Sequence, residues 1–123
     1  MEKTSKTPKR GEIWLVKFKK SKETPKTFRP CLVISGDIQN EFNDLIAVAP
    51  ITTEDIENIG PFEVFIQNTP ETGLDYPSKL QLNYPRTVDR ERLKEHLGVL
   101  NRKFIGELKK AWKVAFDSES WDW

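Results

Sequence analysis

Six polar side chains stand at the ends of apolar runs, where a folded chain leaves such residues accessible: Arg29, Thr52, Thr53, Gln81, Asn83 and Tyr84. A guanidinium stays charged at every relevant pH and forks onto phosphate oxygens. A threonine hydroxyl can donate to the same oxygens. Amides can pair with base edges, and a tyrosine ring can stack on an unstacked base. The chemistry shared by these types is recognition of a single-stranded polyanion through its phosphates and bases. Each residue taken alone also fits a structural or solvated strand end. Their common placement after apolar runs is what groups them.

Other chemistries lack their residues. One cysteine and one histidine in 123 residues cannot make a zinc site. No phosphate-binding loop or dinucleotide fingerprint is present, so no cofactor is expected. His96 lies in the charged segment 90–97 and reads as an exposed or helix-terminal side chain. Cys31 begins the run Cys31-Leu32-Val33-Ile34 and reads as a small buried core residue. A lone cysteine forms no internal disulfide and suits a reducing, cytoplasmic setting. The 10 N-terminal residues are charged and polar, without the apolar stretch of a secretory signal, so export is not expected. No run reaches the roughly 18 apolar residues that a membrane helix needs. A hydrophobic fraction of 37% and a charged fraction of 32% describe a soluble globular domain with one core.

Net charge is +1, but it is unevenly placed. Residues 1–29 hold ten Lys and Arg against three Glu, a balance of +7, and residues 30–123 hold the compensating −6. A basic end on a nearly neutral chain supplies either a polyanion-binding face or a solvated tail.

The elements that must position these residues follow from periodicity. Residues 1–9 are polar and aperiodic and read as a disordered basic arm. Aromatic and β-branched content predicts a strand over 11–18, with Trp14, Val16 and Phe18 on one face; a continuous apolar run, buried on both faces, predicts one over 30–35; a third falls over 45–52; and alternation predicts strands over 62–67 and 78–84. In the last of these, Leu80 and Leu82 point one way and Lys79, Gln81 and Asn83 the other. Residues 86–88 read as an extension of that strand beyond Pro85. Between the strands lie a basic loop over 19–28, a short helical turn over 37–42, an acidic loop over 53–61, and a loop over 68–77 turning at Gly73. Residues 89–95 read as a charged helical turn. Asn101 is placed to cap a helix whose apolar positions are 104, 105, 108, 111, 112, 115 and 116. Five short strands and one amphipathic helix predict a mainly β fold with α, a small antiparallel barrel-like sheet. The domain spans 10–116, and an acidic aromatic tail spans 117–123.

Four landmarks carry a resemblance: Arg10-Gly11-Glu12-Ile13-Trp14-Leu15-Val16, Arg29-Pro30-Cys31-Leu32-Val33-Ile34-Ser35, Pro50-Ile51-Thr52-Thr53 and Pro85-Arg86-Thr87-Val88-Asp89. In order and spacing the chain resembles the MazF/PemK (Kid) toxins of type II toxin–antitoxin systems over about residues 10–115. The resemblance implies the barrel-like fold shared with the gyrase poison CcdB. It implies a ribosome-independent endoribonuclease that cuts single-stranded mRNA at short sequences, and a homodimer neutralised by an antitoxin over its RNA groove. Arg29 and Thr52 then correspond to the residues at the scissile phosphate. Lys22, Lys26, Thr53, Gln81, Asn83, Tyr84 and Arg86 fall along the RNA.

Two departures stand out. Some members carry Arg-x-Asp-Gln before the Pro-Arg-Thr segment, where this chain has Gln81, Asn83 and Tyr84, so a carboxylate able to act as general base is missing. Many members carry His-Glu or Ser-Glu in the first loop. Here that loop reads Lys22-Glu23-Thr24-Pro25-Lys26-Thr27, and Glu23 is the nearest acid. Two other readings stay open on the residues: a non-catalytic gyrase inhibitor using the C-terminal helix with Trp121 and Trp123, and a degenerate member that binds RNA or antitoxin without cutting. The tail is either a frayed end with one tryptophan on the body or an imitation of an acidic antitoxin segment lying over the basic groove.

Overall fold

The computed structural model describes residues 7–22 and 27–123. Seven antiparallel strands form the sheet: β1 (Glu12–Lys17), β2 (Phe28–Val33), β3 (Leu45–Thr52), β4 (Glu63–Ile66), β5 (Ser78–Gln81), β6 (Arg86–Asp89) and β7 (Leu93–Val99). The short helix α1 (Asp37–Phe42) joins β2 to β3, and α2 (Ile105–Phe116) follows β7. The spatial order is β4-β5-β3-β2-β1-β7, with β6 also paired to β3.

β3 is the hub, and Pro50 explains how it divides. Leu45–Val48 pairs with β6, whereas Ile51 and Thr52 pair with Leu80 and Lys79 of β5. A proline has no N–H to give a ladder, so one partner ends and another begins around it.

Because directly opposed residues share a face, register sorts the side chains. One face carries Ile13, Leu32, Ala49, Ile51, Leu80, Val64 and Ile66, and α2 closes it through Leu108 and Ala111, with Phe104 from the turn before it. The other gathers Val16, Phe18, Cys31, Val33, Ile46, Val48, Val88 and Leu93, with Trp14 against them. Trp14, Val16 and Phe18 therefore share a face, as alternation predicts. Two register shifts in the β1–β7 pairing interrupt strict alternation along β1.

Two sequence expectations are corrected. Residues 86–88 do not extend β5: a turn over Leu82–Tyr84 intervenes, and β6 crosses to β3. The charged segment after Asp89 forms one 3-10 turn, Arg90–Arg92, and then becomes strand β7 against β1. Its Lys94, Glu95 and His96 hid the strand because they are exposed or half-exposed on a sheet edge, where charge is tolerated. β7 continues through Leu97 and Gly98 to Val99.

Gly98 and Gly73 lock this edge. A Cβ on Gly98 would stand 2.2 Å from the Glu71 carbonyl oxygen, and one on Gly73, at φ +72°, would stand 1.9 Å from that of Leu97. Asn101 caps as expected, accepting from the Lys103 N–H at 2.9 Å at the turn that leads into α2.

The arm expected over residues 1–9 lies outside the described residues except at its end. There Pro8 is buried, and its carbonyl accepts from the Asn40 side chain at 3.0 Å. Asn40 is itself fully buried in α1, and a further bond from its Nδ2 reaches the Ser35 carbonyl at 3.1 Å. In the tail, Trp121 and Trp123 are 64% and 94% exposed and meet edge-on at 5.5 Å, so neither ring is seated in the body.

Candidate active site

The sheet face away from α2 carries the polar residues. Arg29 opposes Val16 in the β1–β2 pair, two residues before buried Cys31. In the β2–β3 pair Cys31 opposes Pro50. The β2–β3 ladder ends at that pair, and Arg29 and Thr52, each two residues beyond it, fall on the same face of their strands. Arg86 opposes Val48, on the same face, and its guanidinium lies 4.8 Å from the centre of the Phe18 ring.

Cys31 reports the charge of this region from beneath. Burial pushes its thiol up to about 12, and the cations Arg29 and Arg86 only partly oppose the rise. Both guanidiniums therefore act on one spot, the floor of the face. The thiol itself stays protonated and inert, as a core residue should.

Thr52 is 7% exposed, and its Oγ1 accepts from the Glu54 N–H at 3.1 Å. A hydroxyl has one proton to donate as well as lone pairs, so this contact orients the oxygen and leaves the donor available. Thr53 is exposed beside it. Alternation thus puts Arg29, Arg86 and Thr52 on one face, two cations and a hydroxyl suited to a phosphodiester, with Thr53 exposed just past the strand end.

The amides behave differently. Gln81 opposes Glu63 in the β4–β5 pair and donates to its Oε2 at 3.3 Å. Asn83 lies in the tight turn after β5, where its Oδ1 is buried and meets no donor among the described residues. Tyr84, in the same turn, is 57% exposed and offers its ring to solvent. Lys22 is exposed in the basic loop. Glu23 and Lys26 lie outside the described residues. His96 opposes Trp14 and so lies at the β7 edge of the same face, 3.5 Å from Glu12 and edge-on to the Trp14 ring at 5.4 Å.

Sequence reasoning passed over Lys79 and Glu63. Lys79 is 5% exposed, and its Nζ reaches Glu63 Oε1 at 3.1 Å and the carbonyls of Asp55 and Asn58 at 3.0 and 2.9 Å. Burial raises the Glu63 pKa, but the Gly60 N–H, Lys79 and Gln81 outweigh it, and the carboxyl sits below its ordinary value. The available signal was one of pattern: Lys79 and Gln81 alternate with Leu80 and Leu82, and Glu63 begins the neighbouring alternating strand. Among the described residues, no three His, Cys, Asp or Glu side chains gather as a metal-binding group.

Comparison with known proteins decides the family. Residues 9–116 match the profile of the PemK-like, MazF-like toxins of type II toxin–antitoxin systems. The chain belongs to this family. It is 30% identical over 115 residues to endoribonuclease MazF9 of Mycobacterium tuberculosis, covering 89% of this chain and 96% of that one. It is also 30% identical over 104 residues to endoribonuclease MazF of Staphylococcus saprophyticus, covering 84% and 86%. A mycobacterial endoribonuclease solved in complex with its cognate antitoxin superposes with a TM-score of 0.74 at 17% identity, over 94% of this chain and 99% of that one. At that identity the likeness shows the fold, which is the one expected for a PemK/MazF-like toxin.

Proposed function

We propose that this PemK/MazF-like toxin is an endoribonuclease that cuts single-stranded mRNA at short sequences, with Arg29 and Thr52 at the scissile phosphate. The observation that carries the reading is the convergence of Arg29, Arg86 and the Thr52 hydroxyl on one sheet face. RNA holds its own nucleophile in the 2′-OH. The protein has to take that proton, stabilise the charge of the five-coordinate phosphorus and return a proton to the leaving oxygen. Arg29 supplies the charge stabilisation, the largest contribution in most such sites. Thr52 donates one further hydrogen bond. Glu23, in the basic loop, is the acid assigned to removing the 2′-OH proton. No step requires a metal, and the need for a 2′-OH excludes DNA as substrate.

Around the phosphate, Thr53, Gln81, Asn83, Tyr84 and Arg86 flank the path of the strand, with Lys22 and Lys26 contributing charge from the loop. The relatives named above are endoribonucleases, and one structural neighbour is bound to its antitoxin. A cognate antitoxin covering this face, a homodimer and a cytoplasmic site of action accord with those likenesses. Among the described residues no helix is long and apolar enough to cross a membrane.

The test is to incubate the purified protein with a long single-stranded RNA in EDTA and map the ends produced. Discrete cuts are expected, and Arg29→Ala should lower the rate by about 100- to 1,000-fold, the loss typical of one transition-state donor. Cuts that persist at the wild-type rate in Arg29→Ala would place the chemistry elsewhere. An absence of cuts in the folded wild type would leave a binding protein.

A further inference from the structure

We infer that Lys79 and Glu63 are positioning residues that latch the loop after Thr52 and so aim the Thr52 hydroxyl. The inference rests on the ribonuclease reading of Thr52. Register supplies the starting point. Thr52 and Lys79 are directly opposed in the β3–β5 pair, on the polar face of the sheet. From there the Lys79 side chain does not run outward to water. Its Nζ turns under the loop that leaves Thr52 and takes the Asp55 and Asn58 carbonyls at 3.0 and 2.9 Å. Glu63, at the far end of the same loop, completes the coordination at 3.1 Å and also accepts the Gly60 N–H at 2.8 Å. One ammonium thus ties two carbonyls of the loop and the first residue of β4 to the strand beside Thr52.

The loop also has internal ties, with Asn58 donating to Asp55 from its side chain at 2.7 Å and from its backbone at 3.2 Å. Thr53, Glu54, Asp55, Glu57, Asn58 and Ile59 are exposed, and no apolar side chain of the loop is buried in either core. Asp55 has φ +53°, a left-handed conformation that aspartate adopts more readily than most residues and that turns the chain here. The loop backbone also orients the hydroxyl, because the Glu54 N–H donates to Thr52 Oγ1 at 3.1 Å. The order of dependence runs from the buried pair to the loop carbonyls, from the loop to the Glu54 amide, and from the amide to Oγ1. Stability alone does not call for the pair. A buried ion pair can often be replaced by apolar groups of similar size at no loss. What it adds is a fixed point with three directed bonds, and an attack geometry displaced by about 1 Å loses rate on the order of 100-fold.

The experiment compares wild type, Lys79→Met and the double variant Lys79→Met/Glu63→Gln. Lys79→Met leaves a buried carboxylate without its cation and is expected to lower Tm. The double variant removes that lone charge and is expected to regain Tm, while the Asp55 and Asn58 carbonyls stay untied. Both variants should cleave RNA with kcat lowered about 10- to 100-fold and KM within about threefold of wild type. In both, the Glu54 amide should exchange with deuterium at least about tenfold faster by NMR. A double variant that regains kcat along with Tm overturns the inference, because the pair would then be structural only. So does a Glu54 amide as protected as in wild type, a result that stands whether or not the protein cleaves. If Lys79→Met does not fold, the double variant alone decides. If wild type makes no cuts, the ribonuclease reading fails, and the amide measurement still decides whether the latch orders the loop.

Discussion

At the residue scale, burial separates the side chains that do chemistry from those that merely could. Cys31 sits between the influence of Arg29 and Arg86, the arrangement that activates thiols elsewhere, yet burial wins and its pKa is pushed up to about 12. A maleimide or iodoacetamide at pH 8 should therefore leave the native protein unlabelled, and label one site per chain only after unfolding. Rapid labelling of the folded protein, followed by mass spectrometry, would show the opposite. Glu63 is the mirror case. Its folded pKa lies below the ordinary value of 4.5. A depressed carboxylate contributes stability that is fully present above the unfolded value and is lost as pH falls through the folded one. Glu63→Gln should accordingly flatten the fall in Tm below about pH 4.5, with the remaining carboxylates setting what is left. An acid limb identical to wild type would mean the carboxylate gains nothing from its partners. Arg29, Thr52 and Thr53 were legible in the sequence because each ends an apolar run. The Lys79–Glu63 pair was not, because a lysine in an alternating strand reads as solvated until the loop above it is placed.

At the scale of elements, the sequence was legible wherever one period held. β4, β5 and α2 are legible because their apolar residues recur at two or at three to four, and β2 and β3 because each is a nearly continuous apolar run. It misled where strands change partner. Pro50 marks the change within β3, but only the three-dimensional pairing reveals that β6 and β5 divide that strand between them. β7 was read as a helical turn because its core-facing residues are few: Leu93 is buried, and Leu97 and Gly98 are half-buried. Gly98 is the informative residue of that strand, since it admits the Glu71 and Thr72 backbone at contact distance. Two alanine substitutions should then differ in sign. Gly98→Ala forces a methyl into backbone and should cost at least about 1–3 kcal/mol. Gly106→Ala, on α2 with nothing within 4 Å of the added Cβ, should gain about 0.4–1 kcal/mol by restricting the unfolded chain. Urea titrations of both variants measure the difference. Equal effects would mean that the β7 edge is looser than its register implies.

At the scale of the whole molecule, the problem is how a chain of net charge +1 binds a polyanion. The segment 1–29 carries +7 and the rest −6. RNA should therefore approach on the face that holds Arg29 and Arg86. Sequence alone left open whether the basic segment binds or is only solvated. The fold narrows the question at the ends of the basic loop: β1 and β2 pair up to Lys17 and Phe28, next to Arg29, and Lys22 is exposed. Counterion release gives a direct measure. For a single strand the slope of log K against log salt is about −0.7 per phosphate neutralised. A 2′-O-methyl RNA, which cannot attack its own phosphate, allows binding to be read without cleavage. Contact at three or four phosphates predicts a slope of about −2 to −3. Replacing Lys22 and Lys26 by alanine together should make it shallower by about 1.4 if each meets one phosphate, while Lys109→Ala and Lys110→Ala on α2, behind the opposite face, should leave it unchanged. If both pairs of substitutions shift the slope equally, binding follows net charge and no face is singled out. If only the loop pair does, the charge asymmetry written along the chain has been folded into a directional surface, with Arg29 at its inner edge.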